Sequence, residues 1–346
     1  MEVREICSNV HEVILSICIP TYNRKNYLRC ALDSIISDGL DSNVEILISD
    51  NASMDGTLEL VKDFIQKGHN ITYLRNEVNI GPDGNILKCI QNAKGKFIQL
   101  MGDDDILASG AVEYILNFLK KHTDISTIAL NWDQFKKIRG KEIYYNPRYQ
   151  DVGQTLFDSR EQFLKTLSLE GLSFLSNKIY NSYSIKKLDN LEDFIGTRFL
   201  QSYALILCLE QNSNAAIIRK VLVHQGVLNN LPHQMSPEEA IYSATVVFHD
   251  KLYSLLNFMK TEIGINENAV DYIFYSGSKF EWRVMLLLRF YYSIKPSISF
   301  GIEFNKYYRR YKSVYYFGIF LSIIPLFIVK FLTKTYYRLF LKTHEN

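Results

Sequence analysis

Asp103, Asp104 and Asp105 are consecutive carboxylates that follow a short apolar stretch, Lys96–Met101, within GKFIQLMGDDDIL. The stretch is opened by Gly95 and reads as a buried strand, so the charges fall at a strand end. Like charges crowded together are unfavourable unless something neutralises them. A hard divalent cation does this, with the phosphates of a nucleotide completing its shell. Open α/β sheets bind ligands beyond the carboxyl ends of their strands. The other reading of the triplet is an acidic, solvated turn that caps the following helix.

The elements that must position the triplet alternate along the first third of the chain. Val13–Ile19 is a strand stopped by Pro20, and Thr21-Tyr22-Asn23-Arg24 follow as a loop. Leu28, Leu32, Ile35 and Ile36 recur at helical spacing over Lys25–Ser37. Val44–Ser49 is a second strand, ending in the polar turn Asp50–Thr57. A helix with Leu58, Val61, Phe64 and Ile65 on one face precedes a third strand, Ile71–Leu74. Asn76–Asn85 reads as a glycine-containing loop, and Ile86, Leu87, Ile90 and Ala93 line the helix before the triplet's strand. Strands alternating with helices imply a mostly parallel sheet flanked by helices. The loops PTYNR, SDNASMDG, NIGPDGN and GDDD then share one edge.

The totals narrow the function classes. A chain of 346 residues with 47% hydrophobic content supports a sizeable core in two or three subdomains. Net charge is +2, which gives no electrostatic case for nucleic acid. Cys7, Cys18, Cys30, Cys89 and Cys208 form no CxxC pair and no metal-ligand spacing, as expected in a reducing setting. The stretch MEVREICSNVHEV lacks the apolar core of a signal peptide. Neither a GxGxxG fingerprint nor a P-loop is present.

SICIPTYNR, ISDNASMDGT, NIGPDGN and KGKFIQLMGDDDIL, in that order over Leu15–Leu107, resemble the successive motifs of family 2 glycosyltransferases. Within that family the chain is most similar to the branch of abequosyltransferases and other O-antigen or capsule sugar transferases. The resemblance implies the GT-A nucleotide-diphospho-sugar transferase fold. It implies a donor-binding half, residues 1–108, and an acceptor-binding half, 109–236; from about Pro237 the composition changes to helices, which sets off a C-terminal helical, membrane-associating region, 237–346. It implies that Pro20, Thr21, Tyr22 and Arg24 border the nucleotide, that Asp50 accepts from the base, and that Asn51 and Ser53 lie beside it. Asn79, Gly81 and Asn85 would approach the sugar-nucleotide. Plain capping is the alternative for Asp50, Asp55 and Asn85.

By the same resemblance the triplet holds Mn²⁺ or Mg²⁺ against the donor diphosphate. The family's usual first aspartate falls on Gly102, so Asp104 becomes the first choice as direct ligand, with Asp103 and Asp105 sharing the rest. Inversion at the anomeric carbon needs a general base on the acceptor hydroxyl. Glu192-Asp193 is the acidic pair in the acceptor half, and Asp193 is the candidate base. Alignment on the helix Leu200–Leu209 and the strand Ala215–Val223 instead points to Phe199–Gln201, where no carboxylate stands. Asp193 alternatively starts the following helix.

Farther on, Ser109–Lys121 reads as a helix, Ile125–Asn131 as a strand, and Lys136–Gln154 as a tyrosine-rich loop over the acceptor. Trp132, Tyr144, Tyr145 and Tyr149 either stack on sugar rings or pack that loop down, and His224 and His233 read as structural or surface residues. Ile241, Ala244, Val247, Phe248, Leu252, Leu255 and Leu256 form a helical apolar face. The apolar run Val314–Val329 is interrupted by Pro325 and flanked by Lys306, Arg309, Arg310, Lys312, Lys334, Arg338 and Lys342. That pattern fits a helix lying on an anionic lipid surface better than a single spanning segment or a buried C-terminal helix pair, and with the family resemblance the surface implied is the cytoplasmic face of a bacterial inner membrane. The implied partners are a nucleoside-diphosphate sugar and a lipid-linked or polysaccharide acceptor. A catalytically inactive nucleotide-sugar scaffold is one alternative. A processive synthase is another, but a QxxRW-like motif is missing. If Asp193 is the base, Asp193→Asn abolishes transfer while donor binding survives, and normal turnover by that variant removes the assignment.

Overall fold

The computed structural model describes residues 12–37, 39, 41–138, 141–144, 147–149, 153–226 and 248–273. Two compact units divide the chain. One holds residues 1–231 and 258–270, and the other holds 232–257 and 271–346. The first unit carries β1 (Leu15–Thr21), α1 (Lys25–Ile36), β2 (Val44–Asp50), α2 (Thr57–Gln66), β3 (Ile71–Arg75), α3 (Gly81–Asn92) and β4 (Phe97–Leu100). There follow β5 (Ile106–Leu107), α4 (Ala111–Lys121), β6 (Thr127–Ile138), β7 (Lys141–Tyr144), β8 (Gln154–Phe157) and α5 (Arg160–Ser173). Then come β9 (Lys178–Asn181), α6 (Ser182–Lys186), a 3-10 turn (Leu191–Phe194), α7 (Leu200–Gln211) and β10 (Ala215–Gly226). A last described helix, α8, spans Phe248–Thr261 and buries Leu252, Leu255 and Leu256.

One ten-stranded sheet runs in the order β3-β2-β1-β4-β9-β6-β10-β5, with β7 beside β6 and β8 beside β10. The first four strands are parallel, as their near-continuous apolar sequences require when both faces are covered. Thr21, Asp50 and Arg75 pair across β1, β2 and β3, so three strand-end polar residues lie in register at one edge. On one face, Leu28, Ala31, Leu32 and Ile35 of α1 and Ile115, Leu116 and Leu119 of α4 join the core of Ile17, Ile19, Ile46 and Ile48. Each large apolar side chain buried there contributes about 1.5–3 kcal/mol. α3 packs across β1 and β2.

The sheet is mixed, not mostly parallel. β9 enters antiparallel between β4 and β6, and β5, β7 and β8 are antiparallel additions. The helix before β9 carries a break at Ser168, φ 64°, and residues 174–177 join it to the strand. The stretch read as a loop over Lys136–Gln154 is partly a hairpin of β6 with β7. Residues 274–346 lie outside the described residues, and with them the apolar run and its basic flanks. Among the described residues no helix is long and apolar enough to cross a membrane.

The opposite edge is closed by a buried carboxylate. Glu45 accepts from the Ser16 hydroxyl at 2.7 Å, the Lys94 N–H at 3.0 Å and the Thr72 hydroxyl at 3.0 Å, while Ser16 accepts from the Gly95 N–H at 2.8 Å. A Cβ at Gly95 would stand 2.6 Å from the Ser16 nitrogen and 2.9 Å from the Phe97 carbonyl oxygen, both backbone atoms that cannot yield. Gly95→Ala is therefore expected to lower stability by about 1–3 kcal/mol. A urea midpoint equal to that of the unsubstituted chain would show that β4 is not seated this way.

Candidate active site

The edge formed by the carboxyl ends of β1 to β4 is organised by side-chain amides and carboxylates. Asn51, buried after β2, donates to Asn79 Oδ1 at 2.7 Å and accepts from Asn76 at 3.0 Å and from the Ile80 N–H at 2.9 Å. It thereby fixes the loop before α3. Asn85 accepts from the Ser49 hydroxyl at 2.7 Å and donates to the Ser49 carbonyl at 2.8 Å. The loop read over Asn76–Asn85 is shorter than expected, because α3 starts at Gly81 with Pro82 in its first turn, where proline's fixed φ is compatible with a helix. Asn85 is thus a buried helical residue joining α3 to β2, and Asn79 stays exposed at the rim.

Asp50 is fully buried. Its carboxylate accepts from the Ser53 N–H at 2.8 Å and from the Tyr73 hydroxyl, with Arg75 Nε 3.9 Å away. Burial and the Asp50 charge push the Tyr73 phenol up, which keeps it a donor. Ser53 accepts from the Asn23 N–H at 2.9 Å, and Asn23 Oδ1 accepts from the Met54 N–H at 2.8 Å. The PTYNR loop is therefore tied to the SDNASMDG loop, and Asn23 holds a left-handed φ of 52° at the junction. Asp55 accepts from the Lys25 N–H at 2.8 Å and the Thr57 hydroxyl at 2.6 Å, joining the first turns of α1 and α2. Tyr22 is 45% exposed and Pro20 borders the same loop.

The triplet divides its partners. Asp103 accepts from the Thr21 hydroxyl at 2.7 Å and from Arg24 at 2.9 Å. Asp105 accepts from the Ser176 hydroxyl and from the Gly226 N–H at 3.0 Å. Burial pushes Asp103 up to about 6 against the pull of Arg24. Burial, then the Asp104 charge, push Asp105 up to about 8. Asp104 keeps a solvent-facing side chain, 21% exposed, with Arg24 at 3.4 Å. The three carboxylates thus do not meet at one point. Among the described residues no group of three or more His, Cys, Asp or Glu is arranged around a metal. The donor chemistry nevertheless suits a hard cation, which takes carboxylate oxygens as ligands, and Asp104 presents an accessible one.

Gly102 explains itself. Its N–H donates to Ser176 Oγ at 2.7 Å, and a Cβ there would sit 3.0 Å from oxygens of both Asp104 and Asp105. The support of Asp105 comes from later elements: Ser176 before β9, and Gly226 at the end of β10, where a Cβ would meet the Asp104 carbonyl. His224 pairs with Ile106 of β5, just after the triplet, and holds its Nδ1 2.6 Å from Asp133 Oδ1, in keeping with a structural role. Trp132 is buried edge-on to Tyr149 with ring centroids 5.8 Å apart, which is the packing reading for that pair. Tyr145 and His233 lie outside the described residues.

Glu192 and Asp193 are exposed in the 3-10 turn before α7. That turn packs against α3 and α7, and Phe194 stacks on Tyr203 at 4.1 Å. At the start of α7, where the second alignment pointed, stands Gln201, buried and donating to the Ser173 carbonyl at 3.0 Å.

The chain thus joins a parallel α/β half with polar strand-end loops to an acidic strand-end triplet. The sequence model of the family described as Glycosyl transferase family 2 matches residues 16–187, and that stretch of the chain belongs to this family. Abequosyltransferase RfbV of Salmonella typhimurium is 42% identical over 116 residues, 33% of this chain and 34% of that protein. The GalNAc(5)-diNAcBac-PP-undecaprenol beta-1,3-glucosyltransferase of Campylobacter jejuni is 34% identical over 103 residues, 30% of this chain and 33% of that protein. The chain therefore matches about a third of the length of these curated relatives. The mannosyltransferase PcManGT from Pyrobaculum calidifontis, solved in complex with GDP-Man and Mn²⁺, shares the fold, with a TM-score of 0.53 at 14% identity over 90% of this chain and 86% of that one.

Because Asp105 is the buried partner of Ser176 and Gly226, Asp105→Ala strands two polar groups and is expected to cost about 1–3 kcal/mol of stability. Asp104→Ala is expected to leave the thermal midpoint unchanged. Equal midpoints for both variants in calorimetry would overturn this division of the triplet.

Proposed function

We propose that the chain is an inverting glycosyltransferase that moves a sugar from a nucleoside-diphosphate donor onto a lipid-linked or polysaccharide acceptor. The observation that carries this reading is the tie from Asp103 to Thr21 and Arg24, which holds the acidic strand end against the PTYNR loop. Thr21, Tyr22 and Arg24, with the rim of Asn79 and Gly81, form a polar cradle for the donor. Asp50, Asn51, Ser53 and Asn85 hold that cradle's loops in shape. The diphosphate belongs beside Arg24 and Asp104. Asp104 would hold Mn²⁺ or Mg²⁺ there, with Asp103 and Asp105 behind it, and the ion supplies charge neutralisation for the departing diphosphate. Asp193, exposed at the acceptor side, takes the acceptor proton, and Glu192 stands beside it.

The named relatives support glycan assembly on a carrier lipid, because one of them has an undecaprenyl-linked acceptor in its name. We place the protein at the cytoplasmic face of the inner membrane, in O-antigen or capsule synthesis. Peripheral attachment through the basic, aromatic stretch after residue 300 would bring the site to an acceptor that diffuses in two dimensions. The test is a thermal-shift screen of UDP-, GDP-, CDP- and dTDP-sugars with and without Mn²⁺. One donor is expected to stabilise the protein only when the ion is present, by about 2.7 kcal/mol at a hundredfold excess over Kd. Absence of any shift with every pair would remove the donor reading. Binding without donor turnover would favour the inactive scaffold.

A further inference from the structure

Asp83 lies in the first turn of α3, in the same motif that supplies Asn79, Gly81 and Asn85, and it is 2% exposed. Its Oδ2 accepts from the Gly196 N–H at 2.9 Å and from the Arg198 N–H at 2.7 Å. These donors lie 113 and 115 residues away in sequence, in the segment between the 3-10 turn and α7. Its Oδ1 is buried without a hydrogen-bond partner among the described residues. Burial pushes the carboxyl up, against those N–H groups.

The receiving turn is shaped around this oxygen. Gly196 has φ 88° and Arg198 has φ 62°, so two left-handed residues alternate with Thr197. Alternating backbone signs turn successive N–H groups to one side and make an anion-binding concavity. A left-handed arginine is strained and persists only where its surroundings impose it. Here the buried carboxylate imposes it. Local bonds also shape the segment: Ile195 N–H to Glu192, Thr197 N–H to Phe194, and the Thr197 hydroxyl to Phe194 at 2.7 Å. Phe194 packs between Tyr203 and Phe258, so the segment has an apolar hold at one end and Asp83 at the other.

The opposite side of α3's first turn is held by Asn51, through Asn79, Ile80 and the Gly81 carbonyl. A continuous set of bonds therefore runs from the strand-end loop of β2, through the start of α3, to the segment that carries Glu192 and Asp193. We propose that Asp83 is a positioning residue that locks segment 191–199 to the donor-side helix, so that a nucleotide seated on residues 79–85 also orders the acceptor side. This rests on the donor reading above. The anchor itself is judged independently of it.

The experiment is limited trypsin digestion after Arg198, followed by mass spectrometry, on the full chain with and without UDP or GDP plus Mn²⁺. In Asp83→Ala, cleavage after Arg198 is expected to speed up about tenfold or more, as local opening loses its restraint. Asp83→Asn keeps an acceptor oxygen and is expected to restore slow cleavage. Gly196→Ala distorts the same turn without touching α3. It should resemble Asp83→Ala, and the double variant should be no faster than either, as for residues acting in one contact. Should Asp83→Ala fail to fold, Gly196→Ala carries the comparison. The diphosphate is expected to slow cleavage in the unsubstituted protein and not in Asp83→Ala, with its Kd by calorimetry changed less than about twofold. Unchanged cleavage in folded Asp83→Ala and Gly196→Ala overturns the anchor. Equal nucleotide protection with and without Asp83, or a large loss of diphosphate affinity in Asp83→Ala, overturns the coupling. If neither diphosphate binds the unsubstituted protein, the donor reading and the coupling fall, and the anchor stands or falls on the cleavage rates alone.

Discussion

A buried carboxylate must be paired, and the pairing of Asp103 with Thr21 and Arg24 sets the geometry of the whole edge. β1 and β4 are neighbours in the sheet, but their trailing loops have no backbone reason to stay together. The carboxylate supplies that reason: it draws the PTYNR loop down onto the end of β4. Asn23 then carries the constraint to the loop after β2, and Asn51 carries it onward to the loop after β3. Removing water from these groups makes each bond depend on the next, because an unmet donor or acceptor in this setting is costly.

Asparagine recurs in this chain of constraints for a chemical reason. Its amide both donates and accepts, so one side chain links two loops at once. Asn51, Asn76 and Asn85 are buried and bonded to one another or to strand-end backbone. Carboxylates in their places would bring charge into a region that already holds Asp50, Asp103 and Asp105 with little access to water. Neutral amides shape the edge without adding to that repulsion.

The first half was legible because its signals are local. Apolar runs ending in polar turns gave the strands, and helical spacing of Leu28, Leu32, Ile35 and Ile36 gave α1, which buries the first three together with Ala31 and leaves Ile36 half-buried. The second half was less legible because its order is set by pairing between distant segments. Nothing within KIYN states that it lies between β4 and β6, or that it runs antiparallel to both. Ser176 and Gly226 were missed as supports of the triplet for the same reason: their partners are 71 and 121 residues away. Asp83 sits between a proline and a glycine and reads as turn chemistry. The clue to its role was the mismatch of a charged residue in a helix's buried first turn. His224 was set aside for want of neighbouring ligands in sequence, and its neighbour Asp133 comes from another strand.

The dependence of Asp105 on the Gly226 N–H has a consequence for synthesis of the protein on the ribosome. The motifs that resemble a donor site are complete by Leu107, and β1 to β4 can pair as soon as they emerge. Asp105, however, receives its backbone donor from the final residue of β10, and β5 has no partner strand until then. The carboxylate edge therefore passes through a long interval of translation in which its strands exist but its acidic turn lacks support. Long-range pairing of this kind is slow and leaves strand edges open to wrong partners. A nascent chain stalled before Gly226 exposes that unfinished edge, and it is there that a chaperone would find the incompletely folded chain.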